Sequence, residues 1–234
     1  MRLYSNGKLL ISGEYAILDG ALSLATPTLF GQYLEIIEDD SKYIKWTSKN
    51  SNGKIWFQSR IYRESLELDK SSSIKISNTL IEIIKNIRVF NPNFLTNSGV
   101  NITTKLTFDK DWGLGSSSTL ISNLSKLAEI DPFKLNNKIF NGSGYDIACA
   151  RSNSPLLFSI SENEKYIKQV SFKPIFHGNI YFIYLNRKQN SLTEVKKYKK
   201  VKPSKELISE ISEITKNILN CSDYKIFNEL ICSH

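Results

Sequence analysis

The sequence contains few of the residues that build disulfide scaffolds or metal clusters. Two histidines and three cysteines occur in 234 residues, and Cys149, Cys221 and Cys232 show no CxxC spacing. An odd number of widely spaced cysteines with almost no histidine partners excludes a disulfide framework and a zinc cluster. With 41% hydrophobic residues, the chain is long enough to bury a core without such cross-links.

Long apolar runs and linkers are also missing. Near the N-terminus the uninterrupted apolar run is Leu9–Ile11, which is far shorter than the core of a secretory signal or a membrane span. The chain has no internal repeat and no long segment rich in proline, glycine and serine. We therefore expect a soluble, cytoplasmic protein with no membrane partner.

The net charge of +8 is concentrated in one segment. Residues 187–205 hold eight lysines and arginines against the single acid Glu194, which accounts for +7 of the total. A general nucleic-acid binder usually spreads its basic residues over several elements and interleaves them with exposed aromatic side chains. The segment is instead typical of a solvated lysine-rich helix or of an anion-attracting rim beside a site, so we expect no nucleic-acid partner.

Hydrophobic patterning predicts a mixture of strands and helices. Apolar residues at helical spacing predict one helix over 204–219 and another from Ser116 to Ile130. Asp131 and Pro132 then supply an N-cap and a first-turn proline for a third helix. Because strands and helices do not alternate regularly, this order predicts an α+β fold and disfavours a doubly wound sheet. The predicted strands, rich in aromatic and β-branched residues, are Tyr33–Ile37, Tyr43–Thr47, Lys54–Phe57, Val100–Thr107 and Ile180–Leu185.

A glycine- and serine-rich segment, residues 111–119, reads DWGLGSSST and joins the fourth predicted strand to the helix that begins at Ser116. Gly113 and Gly115 allow the backbone to approach a ligand closely, and the free N–H groups of a helix N-terminus favour an anion. The segment lacks the lysine of a GxxxxGK[ST] loop, and Ser118 takes the place of the third glycine of GxGxxG. It indicates either a phosphate-binding loop of another type or a turn with a serine N-cap.

Two further segments favour the phosphate-binding interpretation. Residues 7–20 read GKLLISGEYAILDG and residues 141–148 read NGSGYDIA. Together with residues 111–119, and in this order, they resemble the motifs of the GHMP kinases (galactokinase, homoserine kinase, mevalonate kinase and phosphomevalonate kinase), whose second motif has the form GLGSSA. The opening segment resembles the mevalonate and phosphomevalonate kinase branch most closely. Residues 188–194 are similar to a polar serine and threonine segment of that branch.

The resemblance implies a two-domain architecture. The N-terminal domain, residues 1–177, would be similar to domain 2 of ribosomal protein S5, and the C-terminal domain, residues 178–234, would be ferredoxin-like. The family's third motif, a late glycine-rich loop, has no counterpart after Glu194. We therefore expect the C-terminal domain to be incomplete and the sequence to be a fragment or a shortened gene product. Exposed apolar surface on such a domain favours association, for example as a homodimer.

The resemblance also implies ATP-dependent phosphorylation of a small alcohol or phosphate in isoprenoid precursor synthesis. It also implies that serines of the second motif help to hold Mg²⁺, which makes the hydroxyls of Ser116 and Ser117 the candidates. The stretch Pro132–Phe140 lacks the glutamate that mevalonate kinases use as a magnesium ligand. This departure favours phosphomevalonate modestly over mevalonate as the acceptor. The residues expected to contact ATP phosphates are Gly113, Leu114, Gly115, Ser116, Ser117 and Ser118.

By the same resemblance, two charged residues are catalytic. Lys8 would supply a cation beside the phosphates, and Asp146 would accept a proton from the attacking hydroxyl or hold Lys8 nearby. Glu14 is expected to be buried within the first motif without reacting. The residues expected to contact the acceptor or its phosphate are Lys188, Asn190, Ser191 and Thr193.

Two alternatives stay open at this point. In the first, the protein is a GHMP kinase whose acceptor is a sugar or homoserine. In the second, it is a degenerate, non-catalytic member that keeps the fold and binds an anionic ligand or RNA through residues 187–205. The second alternative predicts salt-sensitive nucleic-acid binding that does not depend on Asp146.

Overall fold

The computed structural model describes residues 1–140, 142–161, 164–185, 195, 197–198, 200 and 203–234. In this part of the chain the strands are β1 (Arg2–Ser12), β2 (Ser23–Asp39), β3 (Tyr43–Lys49), β4 (Ile55–Tyr62), β5 (Leu68–Ser71), β6 (Gly99–Leu106), β7 (Leu156–Ser161) and β8 (Glu164–Gln169). The α-helices are α1 (Ile74–Phe90), α2 (Ser116–Leu127), α3 (Pro132–Ile139), α4 (Tyr145–Ala150), α5 (Lys205–Asn220) and α6 (Tyr224–Ser233). Among the residues described, no helix combines the length and the apolar character needed to span a membrane.

The strands form one mixed sheet in the order β5-β4-β3-β6-β2-β7-β8, and β1 also pairs with β2. β6 pairs antiparallel with β2 and parallel with β3, so Ile102 lies opposite Ile36 on one side and Trp46 on the other. β2 and β3 are therefore consecutive in sequence but separated in the sheet by β6. Helices and strands that do not alternate along the chain characterise an α+β fold, and this predicted fold class is confirmed.

Packing divides the described residues into two compact units. The first comprises Met1–Gly7, Leu29–Lys110 and Leu114–Arg151, and the second comprises Lys8–Thr28, Asp111–Gly113 and Ser152–His234. Each unit combines separate stretches of the chain. The predicted domain boundary between residues 177 and 178 therefore stays a prediction. The first unit has a large core that includes Leu34, Ile44, Ile84, Ile102, Ile121, Leu124 and Leu135. The smaller core of the second unit consists of Leu24, Leu157, Phe176, Ile218 and Phe227.

Most of the predicted elements are confirmed with shifted ends. The helix predicted over 204–219 is α5, and its N-cap Ser204 accepts the Leu207 N–H at 3.2 Å. α2 ends three residues before its predicted end, because Glu129 adopts a left-handed φ of 55° that cannot continue a helix. The strand predicted at Ile180–Leu185 is wrong: in the described part of the chain this segment pairs with no other strand, and all of it except the half-buried Tyr184 is exposed. Its composition favours a strand, but a strand also needs a ladder partner.

α3 begins where the sequence predicts. The Asp131 carboxylate accepts the N–H of Phe133 at 2.8 Å and that of Lys134 at 3.4 Å, and Pro132 occupies the first turn. First-turn N–H groups have no partner within their own helix, so this cap satisfies two of them. α3 packs against α1 and α2, and the cap therefore helps to hold the core of the first unit.

We expect Asp131→Ala to lower the free energy of unfolding by about 1 kcal/mol, because it removes the acceptor of both capping bonds. Asp131→Asn keeps an acceptor oxygen and is the matched control; it should stay within about 0.5 kcal/mol of the wild type. Denaturant unfolding of the three proteins measures the difference. Equal stability of the alanine variant and the wild type would show that the cap does not stabilise α3.

Candidate active site

The glycine–serine loop, defined here as residues 107–119, leads from the end of β6 into the first turn of α2. Gly113 and Gly115 adopt left-handed φ values of 76° and 85°, a conformation that costs glycine little. Gly115 is the N-cap of α2 and has no side chain with which to cap the first turn. The Thr119 N–H donates to the Gly115 carbonyl oxygen at 3.0 Å and so begins the helical bonding. The N–H groups that precede it, those of residues 116–118, are the groups a helix offers to an anion.

The side chains of this loop divide into exposed and buried ones. Ser117 is exposed and Ser116 is half-buried, so both hydroxyls lie at or near the surface. Ser118 is buried, and its hydroxyl donates to the Gly115 carbonyl oxygen at 2.8 Å. Leu114 is also buried and packs its side chain inside the protein. Of the predicted phosphate contacts, Leu114 and Ser118 can therefore contribute main-chain groups, whereas Ser116 and Ser117 can also contribute hydroxyls.

Asp146 lies in the first turn of α4, which begins after another left-handed glycine, Gly144, with φ 91°. Its carboxylate is half-buried, and Oδ1 accepts the Ile147 N–H at 3.0 Å. α4 packs against α2 within the first unit. The structure therefore brings together the helix that carries Asp146 and the helix that carries Ser116 and Ser117.

All of the first motif except Gly7 belongs to the second unit. Lys8 is half-buried within β1, and the motif continues through Gly13, with φ 87°, into a short 3-10 helix at Ala16–Asp19. Glu14 occupies the turn before that helix and is exposed, so the expectation that it is buried is wrong. A carboxylate in a turn gains hydration that a buried one would lose. The predicted acceptor contacts Lys188, Asn190, Ser191 and Thr193 lie outside the described residues.

A magnesium ion would find hydroxyl ligands rather than a carboxylate cluster here. In the described ranges, no three His, Cys, Asp or Glu side chains gather as a metal site. Mg²⁺ needs few protein ligands when it is shared with nucleotide phosphates, and a serine or threonine hydroxyl at a helix N-terminus is one such ligand in P-loop NTPases. Ser116 and Ser117 fit that requirement.

The buried polar face of α2 was not predicted from the sequence. Thr119 and Asn123 of this helix are fully buried and contact Gln32 of β2. The sequence signal for this face is the run of serine, threonine and asparagine among the apolar residues of the helix. Buried polar side chains need hydrogen-bond partners, so this run indicates contacts with another element.

Similarity to known proteins is found in structure rather than in sequence. No protein-family model matches the chain, and no curated protein matches it in sequence. The mevalonate kinase of Methanococcus jannaschii is 16% identical, with 100% of this chain and 76% of that chain covered and a TM-score of 0.69. The phosphomevalonate kinase of Streptococcus pneumoniae, solved with phosphomevalonate and AMPPNP, is 17% identical, with 99% and 77% covered and a TM-score of 0.66. The galactokinase of Lactococcus lactis, solved with galactose, is 13% identical, with 98% and 72% covered and a TM-score of 0.59.

Structural similarity at identities this low establishes a common fold but not a common substrate. The similarity extends over almost the whole chain, and the three proteins include members of both the mevalonate branch and the galactokinase branch. The resemblance carried by the three motifs is therefore confirmed at the level of the two-domain α+β architecture. The chain has the GHMP kinase fold.

Proposed function

We propose that the protein is an ATP-dependent small-molecule kinase that transfers the γ-phosphoryl group to phosphomevalonate or mevalonate. The start of α2 carries this proposal, because Gly115 leaves the first-turn N–H groups uncapped beside the hydroxyls of Ser116 and Ser117. Such a helix N-terminus binds phosphate through its N–H groups and the positive end of the helix dipole. The order of the motifs and the GHMP kinase fold support the same function.

The reaction needs positioning and charge neutralisation more than covalent chemistry by the protein. The acceptor oxygen forms a bond to the γ-phosphorus of ATP, the bond from that phosphorus to the bridging oxygen breaks, and ADP leaves. By their motif positions, Asp146 takes the proton of an acceptor hydroxyl and Lys8 neutralises phosphate charge. Mg²⁺, when bound, neutralises further phosphate charge, and Ser116 and Ser117 would hold it.

One observation favours phosphomevalonate or mevalonate over a sugar as the acceptor. The first motif, GKLLISGEYA, resembles the mevalonate and phosphomevalonate kinase branch. The fold is shared with sugar kinases and does not distinguish the acceptors. The acceptor assignment therefore rests on this motif.

Release of ADP from ATP in the presence of Mg²⁺ tests the proposal. Phosphomevalonate, mevalonate, galactose, homoserine and no acceptor are compared under identical conditions. We expect turnover with phosphomevalonate or mevalonate well above the acceptor-free rate. Turnover with galactose or homoserine alone would overturn the acceptor but keep the kinase. Binding of AMPPNP by calorimetry without turnover on any acceptor would favour the non-catalytic alternative, and the absence of both would overturn the nucleotide site.

A further inference from the structure

The helix that follows the glycine–serine loop has a buried face that is polar. Buried polar groups cost free energy unless they are hydrogen-bonded, so such a face needs specific partners. The apolar residues Ile121 and Leu124 of α2 pack in the core of the first unit and cannot supply these partners. The buried polar residues of α2, each at most 1% exposed, are Ser118, Thr119, Ser122, Asn123 and Ser125.

Gln32 of β2 contacts α2 at two positions one turn apart. Its carbonyl oxygen accepts a hydrogen bond from Asn123 Nδ2 at 2.9 Å, and its Oε1 lies 3.0 Å from the Thr119 hydroxyl. That hydroxyl also lies 3.0 Å from the Ser116 carbonyl oxygen, and its single proton serves one acceptor at a time. Two contacts four residues apart, about 6 Å along the helix axis, fix both the rotation and the axial position of α2.

β1 contributes a second set of bonds to α2. The Ser5 hydroxyl lies 2.8 Å from Asn123 Oδ1 and 2.8 Å from the Ser122 hydroxyl. At the end of α2 the Lys126 ammonium donates to the Tyr4 carbonyl oxygen at 2.8 Å, and burial lowers the pKa of this lysine. α2 is therefore bonded to two strands along its length.

The residue before Gln32 holds the other end of the glycine–serine loop. The Gly31 N–H donates to the Thr107 hydroxyl at 2.8 Å, and the Thr107 N–H donates to the Gly31 carbonyl oxygen at 3.0 Å. A Cβ at position 31 would lie 2.2 Å from the Ser5 carbonyl oxygen, so glycine is required for this close approach of β2 to β1. Both ends of the loop, Thr107 and Thr119, are thus tied to two adjacent residues of one strand.

We propose that Gly31 and Gln32 are positioning residues for the glycine–serine loop: by holding both of its ends, they preorganise the N–H groups and hydroxyls at the start of α2 for a phosphate. This inference rests on the proposed nucleotide site. A loop that is already held in its binding conformation loses less conformational entropy when the ligand binds. Release of one end should therefore weaken nucleotide binding beyond any effect on overall stability.

Two variants of the contact and one matched control test this inference. Gln32→Met removes the side-chain amide but keeps the main-chain bond to Asn123, and Thr119→Val replaces the hydroxyl with a methyl group of similar shape. The control is Ser77→Ala in α1 of the same unit. The Ser77 hydroxyl is fully buried and lies 2.8 Å from the Ser59 hydroxyl and 2.7 Å from the Ser71 hydroxyl. Ser77→Ala therefore also removes a buried, hydrogen-bonded group, but one that does not contact the glycine–serine loop.

The readouts are the Kd for AMPPNP with Mg²⁺, hydrogen exchange of the backbone amides of residues 114–119, and thermal unfolding. For Gln32→Met and Thr119→Val we expect the Kd to rise about 10-fold and exchange to quicken by a similar factor, roughly what one lost hydrogen bond can cause. Ser77→Ala should lower thermal stability comparably but change neither the Kd nor the exchange of these amides.

Three results would count against the inference. An unchanged Kd and unchanged exchange in both contact variants would overturn it, and so would equal changes in the Ser77→Ala control, which would indicate a general loss of stability. If the wild type does not bind AMPPNP, the proposed function fails as well. In that case faster exchange confined to the loop would still support the holding of its α2 end by Gln32, whereas unchanged exchange would overturn that too.

Discussion

Replacement of Asp146 by asparagine is expected to lower kcat with mevalonate by about 10²–10⁴-fold, the range that a positioned general base contributes. Asp146 is half-buried in the first turn of α4, where its Oδ1 accepts the Ile147 N–H at 3.0 Å. Asparagine keeps the shape of the side chain and an oxygen for that bond, but it cannot take a proton at neutral pH. The loss should therefore lie in kcat, while AMPPNP affinity and thermal stability stay close to those of the wild type.

The same variant separates the two candidate acceptors. A mevalonate hydroxyl must lose a proton, whereas a phosphate monoester is largely ionised at neutral pH because its second pKa is about 6. Asp146→Asn should therefore impair mevalonate phosphorylation more than phosphomevalonate phosphorylation. Asp40→Asn, at an exposed bend after β2, is the matched control and should change neither rate. Full activity of Asp146→Asn with mevalonate would exclude Asp146 as the base.

Gly13→Ala is expected to destabilise the protein by about 3 kcal/mol, because it combines a left-handed backbone with overpacking. Gly13 has φ 87°, and a Cβ there would lie 2.1 Å from the Ser23 hydroxyl oxygen and 2.9 Å from the Ser23 Cα atom. Ser23 pairs with Phe158 in the sheet, so its backbone cannot move away without disturbing that ladder. Gly13 of the first motif is thus required by packing.

Gly53→Ala is the matched control for this effect. Gly53 has nearly the same φ, 85°, but a Cβ there would meet nothing within 4 Å. The substitution should cost about 1 kcal/mol from backbone strain alone. Urea unfolding of both variants therefore isolates the contribution of crowding at Ser23, and equal losses in the two variants would show that this crowding is relieved at little cost.

The parts of the fold that could be predicted are those encoded by neighbouring residues. Asp131 and Pro132 are adjacent, so they predict the start of α3, and the glycines and serines of residues 113–118 predict the start of α2 in the same way. α1 is absent from the predicted helices although Leu80, Ile84 and Ile87 recur at helical spacing and are buried. The apolar spacing of α1 was therefore sufficient to predict this helix from the sequence.

The parts that could not be predicted depend on contacts between distant residues. Gln32 and Thr119 are separated by 87 positions, and nothing local to either residue names the other. Gln32 looks like an ordinary polar residue in a strand until β2 is placed beside α2. Ile180–Leu185 show the converse, because a composition that favours strands carries no information about whether a neighbouring strand is available.

The place of β6 in the sheet also bears on how the chain folds. β6 fills the gap between β2 and β3, so a nascent chain that ends at Ser98 has two strands whose inner edges lack their final partner. Unpaired strand edges can template pairing with other chains, and pairing between distant segments is slow because loop closure must come first. The connection of β2 to β3 within the sheet therefore awaits residues 99–106, and we expect aggregation during synthesis or refolding to be most severe until β6 has inserted.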